Sequence, residues 1–292
     1  MISSRNVLHV GSPGFAQTAV AATEPPAAWI GGKRNLARRI CAILSSTPHQ
    51  AYVEPFIGMG GVFLRRRMRP PVEVINDVSG DIVTLFRVLQ RFPDALLREC
   101  RWRPAMRAEF DRLRESRDPD LLDIERAARF LYLQSLAFGG KAFRQNFGTD
   151  THQAHNFDIG RLEPRLRRLH DRLQGVVIEQ LDWMDCLGRY DRPHVLFYLD
   201  PPYWGRETDY GPRIFARSDF QRLAERLQRL EGSFLLSIND VPEIRELFAW
   251  AKVEAVETTY SLAGGDKAKT AKELLIGRGG DLTPAAPPPG LF

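Results

Sequence analysis

The sequence predicts an α/β protein built on an open sheet, and three observations support this fold class. Val195–Leu199 is an unbroken apolar run, typical of a strand buried on both faces, and it leads directly into Asp200. A short segment at residues 52–54 leads into a glycine-rich turn, and another at 72–75 ends near an acid. Apolar stripes at helical spacing separate these segments. Ligands of open α/β sheets bind where strands end, so the acids mark the predicted site.

Length and composition limit the possibilities. With 292 residues, 43% hydrophobic and 26% charged, the chain fits one large α/β domain or a domain with an inserted subdomain. Residues 29–70 contain eight Lys and Arg against the single acid Glu54, a net of +7 within a chain of +5. This segment favours either an anionic partner or a solubilising surface. Hydrophobic runs of membrane length are missing from the sequence, so no membrane partner is predicted.

The cysteines argue against a metal site and for a reducing compartment. Cys41, Cys100 and Cys186 are far apart, and none has a neighbouring Cys or His at metal-ligand spacing. They are therefore interpreted as reduced core residues of a cytoplasmic protein, and no metal is predicted.

The folded part is predicted to begin at Trp29. Residues 1–28 are rich in Gly, Ser, Thr, Ala and Pro without a sustained period, which predicts a disordered leader. The Trp-Ile-Gly-Gly-Lys segment that follows leads into a helix with one apolar face. Its glycines permit close approach of the backbone to a ligand, and Lys33 can pair with a carboxylate. A simple helix-capping turn is the alternative.

The glycine turn and the second strand together predict an adenosine-containing ligand. Strand residues 52–54 are followed by Phe56, Gly58 and Gly60 and then by a predicted helix through residues 62–64, and the strand at 72–75 is followed by Asp77. Asp77 stands 19 residues after Gly58, about the separation at which an acid meets a ribose hydroxyl in dinucleotide-binding folds. The glycine spacing is not that of a phosphate-binding loop, and no P-loop lysine follows. A ligand without a polyphosphate is therefore expected.

A helical subdomain is predicted between the second and third strands. Almost one hundred residues separate these strands, which is too many for a simple crossover. Between two of its helices, residues 138–148 interleave glycines, aromatics, cations and amides, which suits a loop contacting phosphates and base edges. The alternative is a flexible surface loop. The side chains predicted to contact DNA here are Lys141, Arg144, Gln145 and Asn146.

The remaining strands complete the predicted sheet. The third, at 176–178, ends near Asp182 and Trp183, and Val195–Leu199 is the fourth. Further strands are predicted at 234–238, 252–259 and 273–277. The Gly-Lys-rich loop at 262–272 is expected to face DNA through Lys267 and Lys269, and a disordered tail is expected at 279–292.

The stretch after the fourth strand has a composition suited to a flat amino-bearing base. Pro201 and Pro202 stiffen the turn, while Tyr203 supplies an aromatic face beside Asp200. Hydrogen bonds from an adenine amino group to the Asp200 carboxylate and the Pro201 carbonyl favour a pyramidal nitrogen whose lone pair can attack. An ordinary strand-ending turn is the alternative for this tetrapeptide taken alone.

These residues in this order resemble the Dam-like DNA adenine-N6 methyltransferases, which use S-adenosylmethionine. The resemblance covers residues 29–277, and the matching motifs are the leading Trp29-to-Lys33 cofactor motif, the methionine-binding turn 55–60, the ribose acid Asp77, the cofactor-adenine acid Asp182 and the catalytic loop 200–203. It implies catalytic roles for Asp200, Pro201, Pro202 and Tyr203. It implies cofactor contacts by Trp29, Lys33, Phe56, Gly58, Gly60, Asp77, Asp182, Trp183 and Asp200.

The resemblance also implies an architecture and a reaction. It predicts a Rossmann-like sheet of about seven strands with one reversed strand, residues 29–87 and 175–278 forming the catalytic domain and 88–174 the target-recognition subdomain. The implied reaction transfers a methyl group from S-adenosylmethionine to N6 of a flipped-out adenine in double-stranded DNA. The alternatives are an amino-methyltransferase acting on cytosine N4, RNA or a protein glutamine, and a non-catalytic DNA-binding protein with a methylase-like fold.

Target, assembly and location are further expectations. GATC-specific relatives commonly have a lysine where Ala28 stands here, so GATC is not the predicted target. A monomeric, bacterial or phage-encoded protein that reaches the nucleoid through DNA is expected. The terminal Leu291 and Phe292 suggest a contact with the bacterial sliding clamp, against the alternative of an ordinary tail.

Overall fold

A computed structural model describes residues 17–116, 120–148, 157–212, 214–260, 269–278 and 282. Seven strands of this described chain form one sheet in the spatial order β5-β4-β2-β6-β7-β9-β8. The strands are β2 (Ala51–Glu54), β4 (Val72–Asn76), β5 (Val177–Glu179), β6 (Val195–Leu199), β7 (Ser233–Asn239), β8 (Lys252–Tyr260) and β9 (Lys269–Arg278). Only β9 runs against its neighbours β7 and β8, which confirms the predicted single reversed strand within the described sheet.

The central strand β6 explains why helices cover both faces of the sheet. Leu196 and Tyr198 pack into a first apolar cluster, whereas Val195, Phe197 and Leu199 pack into a second, because successive side chains of a strand point to opposite faces. All five residues are buried, so the prediction of a strand covered on both sides is confirmed.

The helices divide between these two clusters. The helix α1 (Ala37–Ser46), the helix α2 (Gly80–Arg91) and the inserted helices belong to the first cluster. The second contains residues of α7 (Trp183–Tyr190), α8 (Arg217–Gln228) and α9 (Pro242–Leu247). The sheet is therefore the middle layer between two helical layers, and its strand ends remain available at the edge.

The insert shares the core of the sheet instead of having its own. Its helices are α3 (Pro93–Arg101), α4 (Arg107–Glu115), α5 (Asp123–Leu136) and α6 (Ile159–Leu173). The helices α3, α5 and α6 pack against α2, and α4 packs against α5. All four belong to the same buried cluster as Tyr52 and Ile75 of the sheet. The predicted domain boundary at 87/88 falls inside α2, because the apolar stripe of that helix continues through Val88 and Leu89 into the insert.

The predicted disordered leader is wrong for residues 17–28. The strand β1 (Thr18–Ala19) pairs antiparallel with β3 (Met68–Arg69), and the Thr23 N–H donates to the Leu64 carbonyl at 2.8 Å. Ala27 is buried in the first cluster. This segment has no apolar periodicity in its sequence, and it is ordered by contacts with residues that lie far from it along the chain. Residues 1–16 and the terminal Leu291 and Phe292 lie outside the described residues.

Two further features differ from the sequence predictions. Strand β9 begins at Lys269 instead of residue 273, because its pairing with β8 extends to Lys269 opposite Tyr260. Residues 62–64 were predicted to begin a helix, and the structure has a single 3₁₀ turn at Phe63–Arg65. None of the described helices has the length and apolarity required to cross a membrane.

Candidate active site

A cavity of about 1250 Å³ opens at the carboxyl ends of the central strands. It lies where an open α/β sheet places its ligands. Residues from β2, β4 and β6 meet there with the segment that precedes α1. The cavity brings together these predicted site residues: Trp29, Lys33, Phe56, Gly58, Asp77, Asp200 and Pro202. Gly60, Asp182, Trp183, Pro201 and Tyr203 are outside its lining, although several support it from behind.

Lys33 and Asp200 form a buried ion pair in the wall of this cavity. The Lys33 Nζ lies 2.7 Å from the Asp200 Oδ1, and it also donates to the Tyr203 hydroxyl at 2.8 Å and to the Gly31 carbonyl at 3.2 Å. The side chain of Lys33 is only 2% exposed, while that of Asp200 is 23% exposed. The lysine therefore fixes the carboxylate from the protein side and leaves its other side accessible from the cavity.

The protonation of Asp200 is set by opposing effects. Burial raises the pKa of Asp200 above its ordinary value, and the Lys33 ammonium and the Ser237 hydroxyl hold it lower. Ser237 donates to the Asp200 Oδ1 at 3.2 Å and shares a 2.8 Å hydrogen bond with the Tyr198 hydroxyl. Ser237 lies in β7, next to β6, so the sheet itself orients the carboxylate.

Tyr203 is held through its hydroxyl as well as through its turn. The hydroxyl accepts from Lys33 and donates to the buried Glu273 of β9. The Lys33 Nζ also lies 4.7 Å from the centroid of the Tyr203 ring. These contacts fix the plane of a half-buried ring immediately after the Asp-Pro-Pro turn.

The glycine turn forms a second wall of the cavity. Gly58 has a φ of +48°, and a Cβ there would lie 2.7 Å from the Trp29 indole nitrogen, so no larger residue fits. The Gly58 N–H donates to the Asp77 Oδ2 at 3.0 Å, and the Ser79 N–H donates to the Oδ1 at 2.9 Å. Burial raises the pKa of Asp77 to about 6, although these two backbone hydrogen bonds lower it.

Asn76 joins three strand ends and thereby locates Asp182. Its amide donates to the Pro55 carbonyl at 2.9 Å and to the Leu181 carbonyl at 3.1 Å, and its oxygen accepts from the Leu181 N–H. Asp182 is the next residue, exposed, and its carboxylate caps α7 by accepting from the Met184 N–H at 2.9 Å. Trp183 is buried and stacks on Phe56 at 6.4 Å between ring centroids. Trp183 thus supports a cavity residue from behind.

Glu54 is a buried acid behind the Lys33–Asp200 pair. It accepts a 2.7 Å hydrogen bond from the Tyr52 hydroxyl and lies in the cavity wall. Burial raises the pKa of Glu54 to about 8, so the side chain is largely neutral at pH 7. A neutral Glu54 spares Asp200 the repulsion of a second carboxylate.

The structure separates the predicted DNA-contacting residues into different environments. Lys141, Arg144 and Asn146 are exposed on the turn that follows α5, and Arg144 has a φ of +50°. Gln145 is 8% exposed, and its amide donates to the Gln134 Oε1 at 2.8 Å. The prediction of a DNA contact does not fit this buried amide. Lys267 lies outside the described residues, and Lys269 begins β9.

Sequence reasoning missed several residues of the site. Tyr210 packs against Trp29 at 5.9 Å between ring centroids and donates to the Ile30 carbonyl at 3.3 Å. Phe143 of the insert lines the cavity and is 40% exposed. Glu273 meets Tyr203 from a strand that follows it by about seventy positions. For Glu273, the available signal was an acid within an otherwise apolar strand; Tyr210 carried no comparable signal.

The basic segment at residues 29–70 is partly neutralised inside the protein. Arg66 is fully buried and pairs with Glu73 at 2.9 Å, and Arg69 contacts the same carboxylate at 3.3 Å. Arg39 pairs with Glu254 of β8. The net charge of this segment therefore overstates the positive surface it offers to an anionic partner.

Similarity to known proteins defines the class. Residues 29–262 match the family described as D12 class N6 adenine-specific DNA methyltransferase. A DNA adenine methylase of Salmonella typhimurium (strain LT2) is 27% identical over 277 residues, covering 88% of this chain and 96% of the relative. The type II methyltransferase M.CviBI of Paramecium bursaria Chlorella virus NC1A is 24% identical over 231 residues, covering 77% of this chain and 86% of the relative.

The chain belongs to the D12 class of N6 adenine-specific DNA methyltransferases. The predicted family and enzyme class are thereby confirmed, and DNA is the substrate class. A solved precorrin 8w decarboxylase of Methanobacterium thermoautotrophicum is also similar, with 10% identity, a TM-score of 0.40, and coverage of 84% of this chain and 89% of that one.

The residues present fit the methyl donor that this family implies, S-adenosylmethionine. The glycine turn leaves no room for a Cβ at Gly58, so backbone lines the cavity there. The Asp77 carboxylate stands beside it at a strand end, in the position suited to ribose hydroxyls. Phe56 and Ile57 supply apolar wall for an adenine. Among the described residues, no group of three or more His, Cys, Asp or Glu forms a metal site.

Proposed function

We propose that the chain transfers a methyl group from S-adenosylmethionine to N6 of an adenine that has been flipped out of double-stranded DNA. One observation carries this proposal: a single cavity contains both the Gly58–Asp77 wall and the Asp200 carboxylate. Its size, about 1250 Å³, is above the usual range for one small ligand and accommodates a cofactor together with a base. A base inside a duplex cannot reach such a cavity, so it must leave the stack.

The cofactor-side residues bind and orient. Asp77 is placed to accept from ribose hydroxyls, and Trp29 covers the glycine turn through its contact with Gly58. Asp182 is exposed at the same sheet edge, beyond Leu181 and outside the cavity lining, and in this proposal it also accepts from the cofactor's adenine amino group. When bound, S-adenosylmethionine supplies an electrophilic methyl group on a sulfonium.

The substrate-side residues prepare the nucleophile. The Asp200 carboxylate and the Pro201 carbonyl accept from the two N–H groups of the adenine amino group, which favours a pyramidal nitrogen with a free lone pair. Lys33 holds Asp200 in place, and the ring of Tyr203 offers a stacking face whose plane its hydroxyl bonds fix. The bond from N6 to the methyl carbon would form in line as the methyl–sulfur bond breaks, with S-adenosylhomocysteine as the leaving group. The proton then leaves the cationic N6 for water, so Asp200 need not be a strong base.

The insert supplies the DNA contacts in this proposal. Exposed Lys141 and Arg144 are placed for phosphates, and Asn146 offers an amide to base edges. Phe143, in the same turn, lines the cavity and so connects this turn to the site. Lys267 and Lys269 remain predicted DNA contacts, and the sliding-clamp contact of Leu291 and Phe292 remains a hypothesis.

Product analysis tests the proposed function. Purified protein, S-adenosylmethionine and unmethylated double-stranded DNA are incubated, and the digested nucleosides are separated. N6-methyladenine is expected from the wild type and none from Asp200→Ala, whose fold is checked by thermal unfolding. N4-methylcytosine as the product, or full tritiated-methyl transfer by Asp200→Ala, would contradict the proposal. Long-read sequencing of DNA from an expressing, methylation-free strain then maps the recognised site.

A further inference from the structure

A buried amide lies between the insert and the cofactor wall. Gln134, in α5, is 0% exposed, and its amide nitrogen donates to two backbone carbonyls at 2.8 Å each, those of Ala28 and Gly140. Its Oε1 accepts from Gln145 at 2.8 Å. Both amide hydrogens and the oxygen are therefore engaged, which fixes the orientation of the side chain.

The two carbonyls belong to two segments that touch backbone to backbone. The Ile30 N–H donates to the Gly140 carbonyl at 2.9 Å, so this carbonyl accepts from both Ile30 and Gln134. Gly140 has a φ of +66°, and a Cβ there would stand 2.8 Å from the Trp29 nitrogen. Only a glycine permits this approach. Gln134 thus holds residues 28–30 against the turn at Phe138–Gly140.

Each segment leads directly to one predicted binding surface. On the cofactor side, Trp29 covers Gly58. Lys33, which is three residues after Ile30, pairs with Asp200. On the DNA side, the Phe138 N–H donates to the Asn146 carbonyl at 2.8 Å, which closes the turn that exposes Lys141 and Arg144. Gln145, within the same turn, carries the third hydrogen bond of Gln134.

We propose that Gln134 is a positioning residue that couples DNA binding to cofactor binding, so that each ligand binds more tightly when the other is present. The inference rests on the proposed function. Hydrogen bonds are directional, so a turn held in place by DNA fixes the Gln134 amide, which in turn fixes the Ala28 carbonyl and the Trp29 segment. A ligand that orders one segment leaves less disorder for the second ligand to remove, and the coupling must be reciprocal.

Calorimetry with the non-reactive product S-adenosylhomocysteine measures the coupling. Its Kd is determined with and without a short duplex that carries the mapped site, and the ratio is the coupling factor. We expect a factor of about ten for the wild type and below about two for Gln134→Leu, which keeps the volume and removes all three hydrogen bonds. Titrating the duplex with and without S-adenosylhomocysteine should return the same two factors.

A matched variant separates coupling from stability. The Gln90 amide also donates to two backbone carbonyls at 2.8 Å, those of Leu173 and Val176, away from the cofactor segment. Gln90→Leu therefore removes a similar pair of bonds and should retain the wild-type coupling factor. Gln145→Leu removes only the bond that orients Gln134, so its factor should be intermediate.

The outcomes distinguish this inference from the proposed function. If the wild type methylates adenine and binds both ligands, but Gln134→Leu retains its coupling factor, the inference is wrong and the function stands. The inference is also overturned if Gln90→Leu loses the coupling equally. If Gln134→Leu does not fold, Gln145→Leu decides: an unchanged factor there refutes the inference, and a reduced factor supports it. A wild type that does not methylate DNA refutes the proposed function itself.

Discussion

Two buried charge clusters of this protein are built from similar groups but do different things. The open cluster borders the cavity and consists of Lys33, Asp200, Tyr203, Ser237 and Glu273. The closed cluster lies within the first apolar cluster of the fold and consists of Glu73, Arg66, Arg69, Arg172 and His49. In the open cluster, the single cation Lys33 is the counter-charge of two carboxylates, Asp200 and Glu273. In the closed cluster, the single carboxylate of Glu73 is the counter-charge of three arginines.

The closed cluster is a structural joint. Arg172, from the end of α6, binds both oxygens of Glu73 at 2.7 and 2.8 Å. Arg66, immediately after the 3₁₀ turn, binds the same carboxylate. Burial, with the nearby Arg66, lowers the pKa of His49 to about 4. The neutral ring therefore accepts from Arg66, at 3.2 Å, through Nε2. The cluster joins the insert to β4 without any opening to the cavity.

The comparison shows that burial and charge pairing alone do not mark a catalytic group. The Glu73 side chain is 0% exposed and is bound by three arginines, so no substrate can reach it. Asp200 is paired on one side only and remains accessible on the other. Access to a cavity, combined with an incomplete set of protein partners, distinguishes the open cluster.

Removing the shared acid of the closed cluster should have the largest effect on stability. Glu73→Gln leaves two buried guanidinium groups without a counter-charge, and we expect the free energy of unfolding to fall by about 3–5 kcal/mol. Urea denaturation measures the loss. The control is Asp123→Asn, which removes an exposed partner of Arg87 at 3.2 Å and should cost less than about 1 kcal/mol. Equal losses for the two variants would contradict the distinction between the clusters.

Removing the cation of the open cluster should instead affect catalysis. Lys33→Met leaves Asp200 without its ion pair, and we expect kcat to fall by about 100-fold, roughly 3 kcal/mol. The loss of stability should be smaller than in Glu73→Gln, because Asp200 is 23% exposed and remains accessible from the cavity. The pKa of Asp200 should rise further because an ammonium that lowers it is gone. The remaining activity should therefore increase with pH over a range in which the wild type is constant. Lys252→Met, on the exposed start of β8, is the matched control; a kcat loss there, or none in Lys33→Met, refutes the assignment.

Tyr52 and Glu54 lie between the two clusters, and the change at Glu54 should have the smallest effect. It should appear as a pH dependence of the free energy of unfolding. The Tyr52 ring lies 3.7 Å from the Arg66 guanidinium carbon, and its hydroxyl binds Glu54. The pKa of Glu54 is raised by burial from 4.5 to about 8, so its neutral form stabilises the fold below pH 4.5, and this contribution is lost as pH rises to 8.

Between pH 6 and pH 8 this loss is about 2 kcal/mol of unfolding free energy for the wild type. Glu54→Gln cannot ionise and should lack this part of the pH dependence. Urea denaturation at both pH values tests the prediction. Parallel pH dependences in the two proteins would show that Glu54 is already ionised at neutral pH.

Much of the site could be predicted because its signals are local. The apolar run into Asp200, the glycines around residue 58 and the acid at Asp77 are each set by the conformations available to a few neighbouring residues. The structure brings Trp29, Lys33, Gly58, Asp77 and Asp200 into one cavity, as the order of motifs led us to expect. The reversed strand β9 followed from the family resemblance and not from periodicity.

What the sequence could not determine depends on partners far along the chain. Gln145 and Arg66 are residue types that commonly contact DNA, yet both are buried. Gln145 donates to Gln134, and Arg66 pairs with Glu73. Thr18–Ala19 lacks any strand periodicity and is ordered by pairing with Met68–Arg69. By itself, the sequence determined the sheet, the glycine turn and the turn at residues 200–203, because chain stiffness and burial encode them locally. Only the tertiary structure decided which polar side chains face the cavity and which hold the two layers together, because that choice is made by contacts across the fold.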